Sequence, residues 1–261
     1  MKRNNLGLII QKSSKIYMSN KHLEVVRSIA YIIVLVIIIR GGIFELYKIP
    51  SGSMKETLLV EDTIFVSKFS YGIGPYSTIV PLPINQRIFF KQPVRGDVIV
   101  FKSPHDDDPK DKYIKRLIGL PGDKIQVREK VVYINGELMK LTPDGDFFDK
   151  GLKKNYERFI EETPEGVKYH VLYDPEVSES SFPNTTPVYE IPQGYYFFMG
   201  DNRNNSVDSR FLQNIGYVHE TRLLGKTQWI LWNGSIFENI FSFFRTQRKF
   251  LDIHSLENPV V

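Results

Sequence analysis

The alternation of apolar and polar positions changes character several times along the chain. From Val25 to Phe44 the sequence reads VVRSIAYIIVLVIIIRGGIF, an apolar run broken only near its ends by Arg27 and Arg40. Its uninterrupted part is shorter than the roughly 20 residues that cross a bilayer. The flanking arginines can snorkel, however, and Ile43 and Phe44 extend the apolar length. β-Branched residues dominate and no polar face exists, which argues against a buried amphipathic helix. The pattern predicts one transmembrane helix, set at residues 25–46. Lys2, Arg3, Lys12, Lys15 and Lys21 precede it, so the positive-inside rule places the amino terminus in the cytoplasm and the remaining chain across the membrane. Arg40-Gly41-Gly42-Ile43-Phe44 offers no small-x-small cleavage site, so the run reads as an uncleaved anchor.

Beyond the anchor the pattern shortens. Thr63-Ile64-Phe65-Val66, Val98-Ile99-Val100-Phe101 and Tyr113 to Ile118 are short apolar runs punctuated by Gly, Pro and Asp, as buried strands are. Ile125 to Val127 and Val131 to Ile134, joined through Arg128-Glu129-Lys130, read as a hairpin, and Asn135-Gly136 signals a second tight turn. Residues 138–192 are polar, with weaker strand patterns at Tyr169 to Tyr173 and Val188 to Ile191, and read as an inserted subdomain. Strong pattern returns at Gly194 to Met199, which runs into the polar stretch Gly200 to Arg210, and again at Lys226 to Trp232. Ile236, Phe237, Ile240, Phe241 and Phe244 then recur at helical spacing ahead of Arg245, Arg248 and Lys249. That amphipathic tail either packs on the core or lies in the membrane interface.

The prediction is a mainly β protein: a cytoplasmic basic tail (1–24), an anchor (25–46), an extracytoplasmic β core (47–137 and 193–233), an inserted subdomain (138–192) and a C-terminal amphipathic helix and tail (234–261). The length of 261 residues, 42% hydrophobic and 25% charged, suffices for one sizeable core or a core plus a subdomain. The net charge of +4 raises the question of nucleic acid, but no basic stripe with interleaved aromatics is present, and membrane orientation accounts for the amino-terminal charges. There is no cysteine, so thiolate and disulfide chemistry are excluded.

Two stretches carry candidate chemistry. In Lys48-Ile49-Pro50-Ser51-Gly52-Ser53-Met54, Pro50 fixes its own φ and Gly52 allows a sharp turn, so two hydroxyls are presented from one constrained loop. Alone, this is also a common loop composition. In Tyr113-Ile114-Lys115-Arg116-Leu117-Ile118 two cations point to opposite faces of a strand, so if both faces are covered at least one is buried. Arginine stays charged, whereas a desolvated lysine can lose its proton at a differential cost of roughly 4 kcal/mol near neutral pH. A free amine could take the proton of Ser53 and later give one to a leaving amine. Two solvated charges on an edge strand are the other reading.

His22, His105, His170, His219 and His254 are scattered through polar or terminal segments and do not compete for the base. His105 with Asp106, Asp107 and Asp108 reads as a solvated acidic loop, and Asp201 to Asp208 fails as a calcium loop because Arg203 takes a ligand position. No metal and no cofactor are expected.

Taken together, Pro50-Ser51-Gly52-Ser53-Met54, Arg95-Gly96-Asp97-Val98-Ile99-Val100-Phe101, Tyr113-Ile114-Lys115-Arg116 with Gly119-Leu120-Pro121-Gly122-Asp123, and Gly200-Asp201-Asn202-Arg203 through Ser206-x-Asp208-Ser209-Arg210 resemble bacterial type I signal peptidase in order, spacing and position after an anchor. The resemblance spans roughly Ile29 to Trp232. It implies a β-barrel or sandwich catalytic core and a membrane-bound serine endopeptidase that removes signal peptides after small-x-small sites by a Ser/Lys dyad. Ser53 is then the nucleophile and Lys115 the general base. The Ser51 hydroxyl and the Ser53 N–H form the oxyanion hole, Ser206 orients the lysine amine, and Asp208 with Arg210 is a structural pair. Ile49, Met54, Leu58, Ile64, Val100 and Ile114 align with residues lining the small apolar substrate pockets, where an extended substrate adds as a strand. The implied partners are signal-peptide-bearing preproteins and the lipid bilayer of the bacterial cytoplasmic membrane, with no nucleic acid; contact with the secretion translocon stays open. Lys55-Glu56 stands where the family often has proline before Thr-Leu, and only one membrane span is present where some members have two. Two other readings share features of the chain: a self-cleaving Ser/Lys protein, and a catalytically inactive membrane-tethered module that binds extended peptides.

Overall fold

The computed structural model describes residues 22–32, 43–78, 81–104 and 112–233. The chain divides into two units, Met1–Ile43 and Phe44–Val261. In the first, residues 22–32 are helical, while 33–42, the centre of the apolar run, lie outside the described residues. Among the described residues no helix is long and apolar enough to cross a membrane. The acidic loop His105 to Asp108 and the C-terminal segment 234–261 also lie outside the described residues.

The second unit opens with strand β1 (Phe44–Lys48), and this corrects the anchor boundary. Residues 44–46 are not the end of a helix. In Phe44-Glu45-Leu46-Tyr47-Lys48 every second residue is half-buried, the period of a strand, and Phe44 to Lys48 pair antiparallel with Ser67 to Thr63. The two apolar residues of that alternation look like a continuation of the preceding run when only hydrophobicity is counted.

The strands that follow are β2 (Asp62–Ser67), β3 (Val98–Lys102), β4 (Lys112–Gly119), β5 (Lys124–Arg128), β6 (Val131–Ile134), β7 (Glu137–Leu138), β8 (Lys140–Asp149), β9 (Lys154–Glu162), β10 (Lys168–Tyr173), β11 (Tyr189–Glu190), β12 (Tyr195–Met199), β13 (Val218–His219) and β14 (Leu223–Asn233). The unit is mainly β. Its principal sheet runs β1-β2-β14-β3-β4-β12-β13, and its neighbouring strands pair antiparallel. The order places β1 and β4 four strand spacings apart, about 19 Å in a flat sheet. Lys112 Nζ of β4 nevertheless donates to Glu45 Oε1 of β1 at 3.2 Å and to Tyr47 Oη at 3.3 Å. The sheet therefore curls into a half-barrel, and the loop that leaves β1 comes to face β4.

The predicted hairpin is β5–β6, which with β7 and β11 forms a four-stranded sheet. Asn135 and Gly136 both adopt positive φ in the turn before β7, as the Asn-Gly signal requires. The 138–192 segment supplies a three-stranded sheet, β10-β9-β8, and then returns to the core when β11 pairs with β5. Its residues Tyr169, Val171, Tyr173, Tyr189 and Ile191 are buried in one cluster with Ile118, Ile125, Val127, Phe197 and Met199. The insertion and the main sheet thus share a hydrophobic core.

Candidate active site

The loop carrying Ser53 is held at its base by an extension of the sheet. Ile49 N–H donates to Asp62 O at 2.8 Å and Glu61 N–H to Ile49 O at 2.9 Å, prolonging the β1–β2 ladder by one residue before Pro50 leaves it. The chain then turns, with Lys55 N–H donating to Gly52 O at 3.2 Å and Leu58 N–H to Met54 O at 2.7 Å. Met54 and Leu58 are buried and pack with Ile49, Ile64, Val66, Val98 and Val100, with Tyr47 and Ile114 partly buried against them. All six residues expected to line substrate pockets, Ile49, Met54, Leu58, Ile64, Val100 and Ile114, therefore belong to one apolar cluster beneath the Ser53 loop.

Strand β4 delivers the lysine. Ile99 of β3 is registered opposite Lys115, and β12 flanks the other side of β4 through Met199 opposite Arg116. β4 is thus an interior strand and not an edge, and both cations are buried: Lys115 is 4% exposed and Arg116 0%. They are handled differently. Arg116 donates to Asp201 through Nε at 2.8 Å and Nη2 at 2.7 Å, to Gly96 O at 2.7 Å, and lies over the Tyr169 ring. Among the described residues Lys115 Nζ forms no ion pair with a carboxylate, and it lies 2.5 Å from Ser53 Oγ. Burial pushes its pKa down from 10.5 to about 8; Asp208 and Asp201 oppose the fall and the Arg210 guanidinium adds to it. Ser53 is itself buried, and Ser51 Oγ lies 3.4 Å from Ser53 Oγ.

The polar stretch after β12 forms the third wall. Arg210 grips Asp208 with two hydrogen bonds of 2.8 Å and also donates to Arg203 O at 2.5 Å. Burial raises the Asp208 pKa, but the Arg210 charge and hydrogen bonds outweigh it and hold the carboxyl below its usual range. Asp208 also accepts the Gly200 N–H at 3.0 Å. Gly200 must lack a side chain: a methyl there would stand 2.2 Å from Ser206 Oγ and 2.5 Å from the Ser53 carbonyl oxygen. Ser206 is thus packed beside the Ser53 backbone. Its buried hydroxyl is close enough to favour the Asp208 charge but forms no hydrogen bond of normal geometry, so the bond expected from Ser206 to the lysine amine is not made in this structure.

Several residues of the site were not singled out from sequence. Asn202 N–H donates to Ser53 O at 3.1 Å and its side-chain amide to Gly52 O at 3.2 Å, tying the polar stretch to the Ser53 loop. Thr57 donates to Asp201 at 2.5 Å, and Glu161 of β9 forms a buried pair with Arg203 and accepts the Tyr169 hydroxyl at 2.6 Å. Arg116 was the one visible signal, a charge inside an apolar strand that required a partner.

Comparison with known proteins gives the family of the chain. The family described as "Signal peptidase, peptidase S26" matches residues 22–232, most of the chain. The chain belongs to the signal peptidase family. Among curated relatives, signal peptidase I of Rickettsia conorii (strain ATCC VR-613 / Malish 7) is 40% identical over 223 residues, covering 80% of this chain and 79% of that one. Signal peptidase I of Rickettsia typhi (strain ATCC VR-144 / Wilmington) is 40% identical over 218 residues, 80% of each. A solved signal peptidase I from Enterococcus faecalis V583 is 28% identical, covers 52% of this chain and 97% of that one, and has a TM-score of 0.31. The protein is accordingly a signal peptidase, a serine endopeptidase among the hydrolases, and its substrates are proteins that carry signal peptides.

Proposed function

We propose that this signal peptidase works by a Ser53/Lys115 dyad. The observation that carries the reading is the 2.5 Å approach of Lys115 Nζ to Ser53 Oγ in a buried setting that lowers the lysine pKa to about 8. Near and above that pH an appreciable fraction of the amine is neutral and can accept the hydroxyl proton as Ser53 Oγ attacks the scissile carbonyl. The proton then passes from Nζ to the departing amine, which leaves an acyl-enzyme. Water, deprotonated by the same amine, releases the signal peptide. The Ser51 hydroxyl and the Ser53 N–H stabilise the tetrahedral oxyanion, a contribution of about 10²–10³ in rate for one donor. The Asp208–Arg210 pair holds the Ser206 turn against the Ser53 backbone.

The substrate enters as an extended strand, its main chain pairing along the loop that leaves β1 and along the start of β4. Ile49, Met54, Leu58, Ile64, Val100 and Ile114 form the shallow pockets that select alanine-like side chains one and three residues before the cut. The apolar run after Val25 holds the enzyme in the bacterial cytoplasmic membrane with its amino terminus inside and the β unit outside, where exported preproteins emerge.

The test is cleavage of a purified precursor with a small-x-small site, in detergent or lipid. Ser53→Ala, Lys115→Met and Lys115→Arg should each abolish cutting with fold and insertion intact, because a hydroxyl, a proton acceptor and an uncharged amine are each required. Substantial activity in any of them would remove the dyad. Binding of the precursor by wild type without cutting would favour the inactive peptide-binding module.

A further inference from the structure

The three residues after Met54 each reach a different partner, and two of those partners lie on the insertion. Lys55 Nζ lies 2.5 Å from Asp149 Oδ2, with side chains 13% and 4% exposed. Glu56 Oε1 pairs with Arg158 at 3.5 Å. Thr57 turns to Asp201. Asp149 ends β8 and Arg158 is on β9, so consecutive residues of the Ser53 loop meet adjacent strands of the insertion with opposite polarity.

Both insertion partners are themselves fixed. Asp149 Oδ1 accepts the N–H groups of Gly151 at 2.9 Å and Leu152 at 3.2 Å. Burial raises its pKa, yet the hydrogen bonds of Lys55 and of those amides hold the carboxyl below its usual range. Arg158 Nε is anchored on Asp144, 3.0 Å from its carbonyl oxygen and 3.0 Å from Oδ2. On the other side, the Lys55 stem crosses Gly52 so closely that a Cβ on Gly52 would stand 3.1 Å from Lys55 Cε. Fixing the ammonium therefore also fixes the backbone just before Ser53. The insertion grips the facing wall as well: Leu172 N–H donates to Asp201 O at 2.8 Å, Arg203 N–H to Leu172 O at 2.9 Å, and Glu161 pairs with Arg203.

We propose that the insertion is the mount for the nucleophile, with Asp149 and Arg158 as positioning residues that act through Lys55 and Glu56 on the placement of Ser53. This rests on the Ser53/Lys115 reading. A loop containing glycine is soft, and attack and proton transfer both require Oγ to stay within a fraction of an ångström of its place. The ion pairs supply stiffness without touching substrate. Their loss should appear in kcat and not in KM.

The experiment uses the full chain in detergent, a precursor with a small-x-small site, and the variants Lys55→Met, Asp149→Asn and their combination, with Glu56→Gln and Arg158→Gln as the second pair. Lys55→Met keeps the stem over Gly52, and Asp149→Asn keeps an oxygen for the Gly151 and Leu152 amides. Each single variant should lower kcat by about tenfold with KM unchanged, and the double variant should be no slower than the worse single because the two act as one contact. Lys55→Arg, which keeps the cation, should recover most of the rate. If Lys55→Met, Asp149→Asn and the second pair all retain kcat within twofold of wild type, or if the loss lies in KM, the insertion is not the mount. Cleavage that survives Ser53→Ala would instead overturn the dyad and this inference with it. Thermal melting of each variant separates a misplaced serine from an unfolded chain, and the second pair carries the test if the first melts early.

Discussion

Replacing Lys115 by methionine should make the protein inactive and more stable. The lysine is almost fully buried and its pKa falls from 10.5 to about 8, which at roughly 1.4 kcal/mol per pH unit is a cost of about 3 kcal/mol to the folded state whenever the group is protonated in both states. The sign follows from where each state releases its proton. Below pH 8 the folded and unfolded chains both hold it, so the cost is full and constant. Between pH 8 and 10.5 the folded chain has lost it and the unfolded chain has not, so wild-type stability gains from rising pH. Above 10.5 both are neutral and the cost is gone. Methionine fills a similar volume without the charge. Urea unfolding of wild type and Lys115→Met at pH 7, 8, 9 and 10 should therefore show the variant ahead by about 3 kcal/mol at pH 7, with the gap closing as pH rises. Buried Tyr71 and Tyr169, whose pKa values are pushed well up by burial, act alike in both proteins and cancel in the difference. A gap that does not change between pH 7 and 10 would mean that the amine is not desolvated in the folded protein, and the case for a neutral base would fall with it.

Three further outcomes follow from the same geometry. The rate should rise through pH 8 as Lys115 deprotonates, and a kcat/KM profile flat from pH 6 to 9 would rule out an amine base with the pKa of about 8 that its burial sets. Gly200→Ala places a methyl against the Ser53 carbonyl and Ser206; it should cost about 1–3 kcal/mol of stability by overpacking and lower kcat by on the order of 10²-fold, measured by urea unfolding and precursor cleavage. Glu161→Gln leaves Arg203 buried without its countercharge and should destabilise by about 3–5 kcal/mol in the same unfolding assay.

What the sequence made legible was whatever local pattern encodes. Strands β2, β3, β4, β12 and β14 lie on the short apolar runs, and the β5–β6 hairpin lies where turn residues interrupt them. β8 and β9 were not foreseen: β8 contains Pro143 and Gly145, shifts register between Pro143 and Asp146, and shows little buried alternation. β1 was hidden because its apolar positions extend a longer apolar run. The site divided in the same way. Ser53 and Lys115 stood out as a hydroxyl in a constrained turn and a cation in an apolar strand, but their supports did not. Arg116 and Asp201 are 85 residues apart, and Glu161 and Arg203 are 42 apart. No local signal announces which buried charge will meet which.

The terminal position of β1 in its sheet has a consequence for solubility. Among the described residues its outer edge faces no further strand, and such a row of main-chain donors and acceptors would template pairing with a second copy or an unfolded neighbour. The edge is short, five residues, and its end is guarded: Lys48 is exposed beside Glu61, Pro50 removes a donor, and Lys112 lays a charge across Glu45 and Tyr47. Such guards discourage a sheet from growing at this edge and keep it from becoming a seed for aggregation.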